Sequence, residues 1–369
     1  MCMLVLLHLA GAPARAWWRE GHSHITGGAV AYLPQPLRSF FSTNVSTIRS
    51  LSGQEPPGRH YIDIDYYPEF FAGTFPRDVD DLIALYGYSV VEQNGMGPWT
   101  YANYVESLST QMAAAKTKQD WLDLIPTAAA QAHYIEDMHN PLHLTLNYNG
   151  QLTGNNGVHA RYEGEMIARN IGSLTFASAS AVYLPSVIDA VFDGIDVHYY
   201  FVDDIIAADD VAIAAAGDYN ETYYANLWAE TGDFTHDQFQ RGAQAVANGW
   251  YTAWVNAGSP IPNLGLAGDY NGNNVIDAAD YTVWRDALGS SAPGMLNDLT
   301  PSSVNDSDYQ YWKAHFGATI GGGAGAIAAV PEPASWLLLA SAATVSGLLA
   351  HRERFRCTPR ANHLGSLGR

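Results

Sequence analysis

The stretch AHYIEDMHNPLHLT, Ala132 to Thr145, holds His133, Asp137 and His143 within eleven positions. His133 and Asp137 are four apart, so on a helix they share a face and can hold one ion between them. Pro141 disfavours helix at Asn140 and should end or kink the segment there, which would turn His143 inward from a second direction. Farther on, GNNGVHARYEGEM carries His159 and Glu163, again four apart. Two His/acid pairs with His143 between them offer enough nitrogen and oxygen ligands for more than one zinc ion. Taken alone, HYIEDMHNPLH also reads as a polar turn between two helices, since exposed helices often carry such pairs.

Composition narrows the chemistry. The 369 residues include only two cysteines, Cys2 and Cys357, both in terminal segments, so the body has no thiol for a disulfide framework or a Cys-based zinc site. Thirteen histidines remain as nitrogen ligands. Asp and Glu number 37 against 18 Lys and Arg, a formal net charge of −19. Bulk electrostatics therefore exclude binding to nucleic acid or anionic lipid by charge alone, and any bound phosphate needs a local positive centre such as a metal ion.

Helices are the elements expected to position these groups. Apolar residues recur at helical spacing over Trp99–Gln119, Trp121–Glu136 and Asp233–Ala257, and few stretches alternate as strands do. The expected fold class is all-α, with PPGRHYIDIDYYPEFFAG as a Pro- and aromatic-rich loop region inside a body spanning 17–258. Met1 to Ala10 is short and apolar, and Ala14-Arg15-Ala16 fits the small-x-small cleavage rule, so 1–16 reads as a signal peptide. Cleavage would free the Trp17 amine, which titrates near about pH 8 and can chelate with its own carbonyl oxygen. His22 follows five residues later.

This set resembles the zinc-dependent phospholipase C and single-strand nuclease superfamily. The matching residues are Trp17, His22, the segment HYIDID from His60 to Asp65, His133/Asp137/His143, and His159/Glu163. The resemblance covers Trp17 to about Glu165 and implies an all-α domain holding up to three zinc ions. It implies that Trp17 and His22 hold one ion and that Asp137 bridges it to a second. The second ion also takes His60 and His133, and a third takes His143, His159 and Glu163. The resemblance implies Asp137 and Glu163 as the catalytic carboxylates, and Asp63 and Asp65 are expected to hydrogen-bond ligand imidazoles. The His-x3-Glu form is closer to the phospholipase C branch, with a single-strand nuclease or 3'-nucleotidase as the alternative. One departure stands out. The family expects an Asp about thirteen residues before the His-aromatic-x-Asp motif, where this chain has Ser46 or Thr47. Glu20 and Glu55 lie elsewhere. A surface-attached protein with a degenerate zinc site is therefore the third reading.

After a linker at 259–263 comes a repeat: DYTVWRDALG, Asp280 to Gly289, matches DYQYWKAHFG, Asp308 to Gly317. DYNGNNVIDAAD places Asp269, Asn271, Asn273, Asp277 and Asp280 at positions 1, 3, 5, 9 and 12 of a twelve-residue calcium loop. Asn274 takes position 6, where a left-handed conformation is needed and Asn tolerates it. The second loop, with Leu299 and Pro301, lacks side-chain oxygens at two ligand positions. The unit 264–318 resembles a type I dockerin, which implies one Ca2+ and a cohesin-like partner, or a calcium-stiffened stalk. A Gly/Ala linker, 319–329, leads to Val330-Pro331-Glu332-Pro333, an apolar run and three arginines. Residues 330–356 resemble a PEP-CTERM sorting signal, which implies an exosortase-type sorting enzyme, export to the cell envelope and a transmembrane helix. The tail 357–369 fits no pattern. The expected activity is hydrolysis of a phosphodiester substrate, a phospholipid headgroup ester or a nucleotide.

Overall fold

The computed structural model describes residues 17–54, 59–262, 265–290, 295, 297 and 303–319. The signal segment and the sorting segment with its tail lie outside the described residues. The chain is mostly helical, and no strand occurs among the described residues. No helix among them is long and apolar enough to cross a membrane.

Seven longer helices build the body: α1 Trp18–Ala29, α2 Leu37–Ser52, α3 Gly97–Ala114, α4 Ile125–Asp137, α5 Val187–His198, α6 Phe201–Ala216 and α7 Glu221–Asn256. α7 has 36 residues, roughly 54 Å at 1.5 Å per residue. It packs along α1, α3, α4 and α6. Asn220 starts it, its side chain accepting from the amides of Thr222 and Tyr223. The start thus lies well before the expected Asp233. The expected Trp99–Gln119 helix also differs, because α3 stops at Ala114. Thr117 and Asp120 then form a capping box that opens a new short helix, Lys118–Asp123.

α4 carries the central motif and is buried almost all round, from Ile125 to Asp137. Its run of alanines lets α2, α3 and α7 approach closely. The apolar core around it includes Trp17, Phe40, Phe41, Trp121, Phe239 and Trp250, all essentially inaccessible. Gly249 of α7 leaves room for an α4 side chain: a Cβ there would stand 2.4 Å from Gln131 Nε2.

The C-terminal unit has two helices, α8 Ala278–Ala287 and α9 Asp306–His315. Asp277 caps the first and Asn305 the second, each through a capping box. The indole Nε1 of Trp284 donates to Asn305 O at 2.9 Å, and that of Trp312 donates to Asp277 O at 2.8 Å. Each helix thus bonds the cap of the other, through residues 28 apart in the repeat.

Candidate metal centre

α4 ends at Asp137, and Pro141 begins a short 3-10 turn, Pro141–His143. The expected break is present and brings His143 to the same place as Asp137. His60 arrives on an extended segment paired to the His143 segment, with Ile62 N donating to His143 O at 2.9 Å and Ile64 N to Leu144 O at 3.2 Å. Gly95 permits that path: its φ is +92°, and a Cβ there would lie 2.2 Å from Tyr61 O. His22 comes from α1, and its ring stacks on His133 with centroids 4.0 Å apart. His159 and Glu163 sit at the start of a π-helical segment, Ala160–Met166.

These residues form three overlapping groups: His22/His133/Asp137, His60/Asp137/His143 and His143/His159/Glu163. Within each group the ligand atoms all lie within 4.8 Å of one another. Asp137 Oδ1 is 3.4 Å from His22 Nε2, while Oδ2 is 3.1 Å from His133 Nε2 and 2.8 Å from His60 Nδ1. Glu163 Oε2 is 2.9 Å from His159 Nε2 and 3.5 Å from His143 Nε2. Asp137 Oδ2 thus faces both His133 and His60, and Oδ1 faces His22, while His22 also stands beside His133 and His143 beside His60. The Trp17 backbone nitrogen donates to Glu163 Oε2 at 3.1 Å, beside the third group. Trp17 O accepts from Gly21 N at 3.0 Å.

The donor set tests whether a cation fits. His133 Nδ1 donates to Ser52 O at 2.6 Å, His159 Nδ1 to Tyr148 O at 3.0 Å and His143 Nδ1 to His60 O at 3.3 Å. A carbonyl only accepts, so each Nδ1 carries a proton, and in the neutral imidazole each Nε2 then keeps its lone pair. Yet His143 Nε2 and His159 Nε2 stand 3.2 Å apart. Two lone pairs at that distance repel unless a proton or a cation joins them. His22 Nε2, His133 Nε2, Asp137 Oδ1 and Glu163 Oε1 are buried without hydrogen-bond partners. Buried polar atoms seldom stay unpaired, and the first three converge on one another. Buried His, Asp and Glu groups therefore lie at metal-binding distance, and the donors suit a cation. Electrostatics agree: burial opposes the Asp137 charge, but His133, His143 and His22 hold its carboxyl well below the usual range. Burial and His133 together push His22 well down.

Other expected residues fall differently. Asp65 accepts from Thr145 Oγ1 at 2.6 Å and Leu146 N at 2.9 Å, so it pins the chain after His143 and not an imidazole. Asp63 lines a cavity of about 340 Å³ with His60, Tyr61, Leu142, His143, Tyr148 and His159. Burial and nearby Asp65 push its carboxyl up to about 7. Ser46 and Glu20 line a different surface cavity, with Arg19 and Arg49. Glu55 lies outside the described residues. His139 is buried against His198 and away from the three groups, ring centroids 4.7 Å apart.

Two residues went unread in the sequence. Asn140 Nδ2 donates to Glu163 Oε2 at 2.8 Å. Glu136, fully buried, meets His22 Nδ1 at 2.6 Å. The available signal was an acidic residue in the apolar run AHYIED, next to Asp137.

In the C-terminal unit, Asp269 Oδ1 accepts from the amides of Gly272 and Asn273, at 2.8 and 3.0 Å, and Oδ2 from Asn274 at 2.6 Å. Asn271 and Asn273 accept from the amides two residues on. Asp280 accepts from the amides of Asn271 and Asp277. Asn274 has φ +68°, as position 6 requires. Burial and Asp280 push Asp269 up to about 6, a repulsion that a cation between them would relieve.

No family model matches the chain, and no curated protein matches it.

Proposed function

We propose that the chain is a zinc-dependent phosphodiesterase of phospholipase C-like type. The observation that supports this is the convergence of buried imidazole nitrogens and carboxylate oxygens in three groups joined by Asp137 and His143, with His22 Nε2, His133 Nε2 and Asp137 Oδ1 of the first group lacking hydrogen-bond partners. His22, His60, His133, Asp137, His143, His159 and Glu163 would hold the ions, and a freed Trp17 amine would join them. Bound zinc supplies Lewis-acid polarisation of phosphoryl oxygens and a water acidic enough to ionise near neutral pH.

The chain's own residues do the rest. The cavity beside the groups receives the phosphate ester, with Tyr61, Leu142 and Tyr148 as apolar walls that exclude water. Asp63 at that wall can hold or release a proton near neutral pH. No Lys or Arg is among the lining residues. A phospholipid headgroup ester, with one phosphodiester and an apolar flank, suits such a wall better than a polyanionic strand. By the same reasoning Asp269, Asn271, Asn273, Asp277 and Asp280 would take one Ca2+. Export, exosortase-type sorting, membrane attachment and cohesin-like docking rest on sequence motifs alone.

The test is to produce the chain beginning at Trp17, count zinc by plasma emission, and assay a phosphocholine diester beside single-stranded DNA. Zinc near three per chain with turnover of the diester supports the proposal. Turnover of DNA alone favours the nuclease branch. Little zinc and no turnover of either substrate overturns the enzyme reading in favour of a degenerate site.

A further inference from the structure

The seven side chains read as ligands leave out the buried carboxylate nearest to them. Glu136 is completely inaccessible and adjoins Asp137 on α4. Its Oε2 lies 2.6 Å from His22 Nδ1. Its Oε1 accepts from Thr26 Oγ1 at 2.7 Å. Thr26 Oγ1 also lies 2.9 Å from Ser52 Oγ, and its single hydroxyl proton serves one of these two contacts at a time. The backbone carbonyl of that same Ser52 takes the Nδ1 proton of His133. The Glu136 carbonyl holds the Trp17 indole at 3.0 Å. One connected set of bonds thus runs Trp17–Glu136–His22 and Glu136–Thr26–Ser52–His133. It fixes two stacked imidazoles with both Nε2 atoms turned to Asp137.

Glu136 differs in kind from the other groups behind the imidazoles. His133, His143 and His159 each lean on a neutral carbonyl. Among these supported rings, His22 alone leans on a carboxylate outside the ligand groups. Burial and Asp137 push the Glu136 carboxyl well above its ordinary range, and a cation beside His22 would draw it back toward the ionised form. An ionised carboxylate behind an imidazole raises its basicity and adds one negative charge next to the ion, where a carbonyl only fixes the tautomer.

Resting on the metal-centre reading above, we propose that Glu136 is a positioning residue: it orients His22, fixes its Nε2 lone pair toward Asp137, and supplies the buried counter-charge for the cation held by His22, His133 and Asp137. The remaining groups do not depend on it.

The test separates charge from shape. In the full chain, Glu136→Gln keeps the size and an oxygen that can accept from His22, and removes only the charge. Glu136→Ala removes both. Thr26→Val removes the bond that holds Oε1. Zinc affinity is read by competition with a chromophoric chelator, and the ligand field by the visible spectrum of the Co2+-loaded protein. Thermal melts of the metal-free forms check folding. The expected result is a loss of about 10–100-fold in affinity for one ion in Glu136→Gln. The other ions stay at wild-type affinity, the Co2+ band of one site shifts, and Thr26→Val loses less. A merely structural role predicts wild-type affinity in Glu136→Gln and loss only in Glu136→Ala, and that result overturns the proposal. If Glu136→Ala does not fold, Glu136→Gln and Thr26→Val still decide. If the wild type binds zinc and all three variants match it, the positioning role fails while the metal centre stands. If the wild type itself takes up no zinc, both fail together.

Discussion

The segment carrying His159 and Glu163 is fastened by one buried ion pair, and breaking it should loosen the candidate metal centre from behind. Arg161 lies between those two residues and points away from them into α6 and α7. Its guanidinium makes bonds of 2.8 and 3.0 Å from Nη2 to the two Asp209 oxygens and 3.1 Å from Nε to Oδ1. Tyr223 also donates to Asp209, and Asn155 donates to its Oδ2 at 2.9 Å. The side chains are only 9% and 2% exposed. Asp209→Ala leaves the arginine buried without its counter-charge, which costs about 3–5 kcal/mol. For a body of this size about 1 kcal/mol moves the melting temperature by roughly 2–4 °C, so the expected fall is about 10 °C. Replacing both partners, Arg161→Met with Asp209→Leu, removes the stranded charge and should recover most of the loss. Calorimetry of the chelator-treated protein measures both effects, and metal content of the untreated protein reports on His159 and Glu163. A fall under about 3 °C for Asp209→Ala, or a double variant as unstable as the single one, would show that the pair does not hold this segment.

Three further outcomes are expected. Gly95→Ala forces a side chain into a left-handed backbone and against Tyr61 O. It should cost about 1–3 kcal/mol and lower zinc content by displacing His60, which melts and metal analysis would detect. Burial and His139 push His198 down to about 2. The unfolded chain therefore binds a proton near pH 6.5 that the folded chain refuses. Stability from this group is present above 6.5 and falls as pH drops below it. Urea melts between pH 8 and 4 should show that decline, and a His198→Phe variant with the same slope would refute it. In the C-terminal unit, Trp312→Phe keeps the ring and loses the bond to Asp277 O. It should cost about 1 kcal/mol, and an unchanged melt would show that the indole bond is idle.

Much of this was legible because it is local. The i,i+4 spacing of His133 and Asp137, and of His159 and Glu163, placed each pair on one helical face. Pro141 announced the break that brings His143 in. The helical class followed from periodicity, and Asn274 took the left-handed backbone expected at its loop position. What failed was set by caps or by tertiary approach. Thr117 and Asp120 carry a readable capping signal that splits the expected Trp99–Gln119 helix, and apolar spacing alone passed over it. The stacking of His22 on His133 depends on how α1 crosses α4, and no spacing encodes that. Asp65 is near the imidazoles in sequence, but its oxygens face the Thr145 turn.

The crossed indoles of the C-terminal unit have a consequence for how it can fold. Trp284 closes the cap of α9, and Trp312 closes the cap of α8. Neither half of the repeat owns the parts that finish its own helix start. The unit should therefore form in one step or not at all, with no half-folded species and no stable single repeat. Its cohesion also comes from side chains outside the ligand positions. That is why the second repeat can carry Leu299 and Pro301 where the first carries Asn271 and Asn273 while the pair of helices stays together.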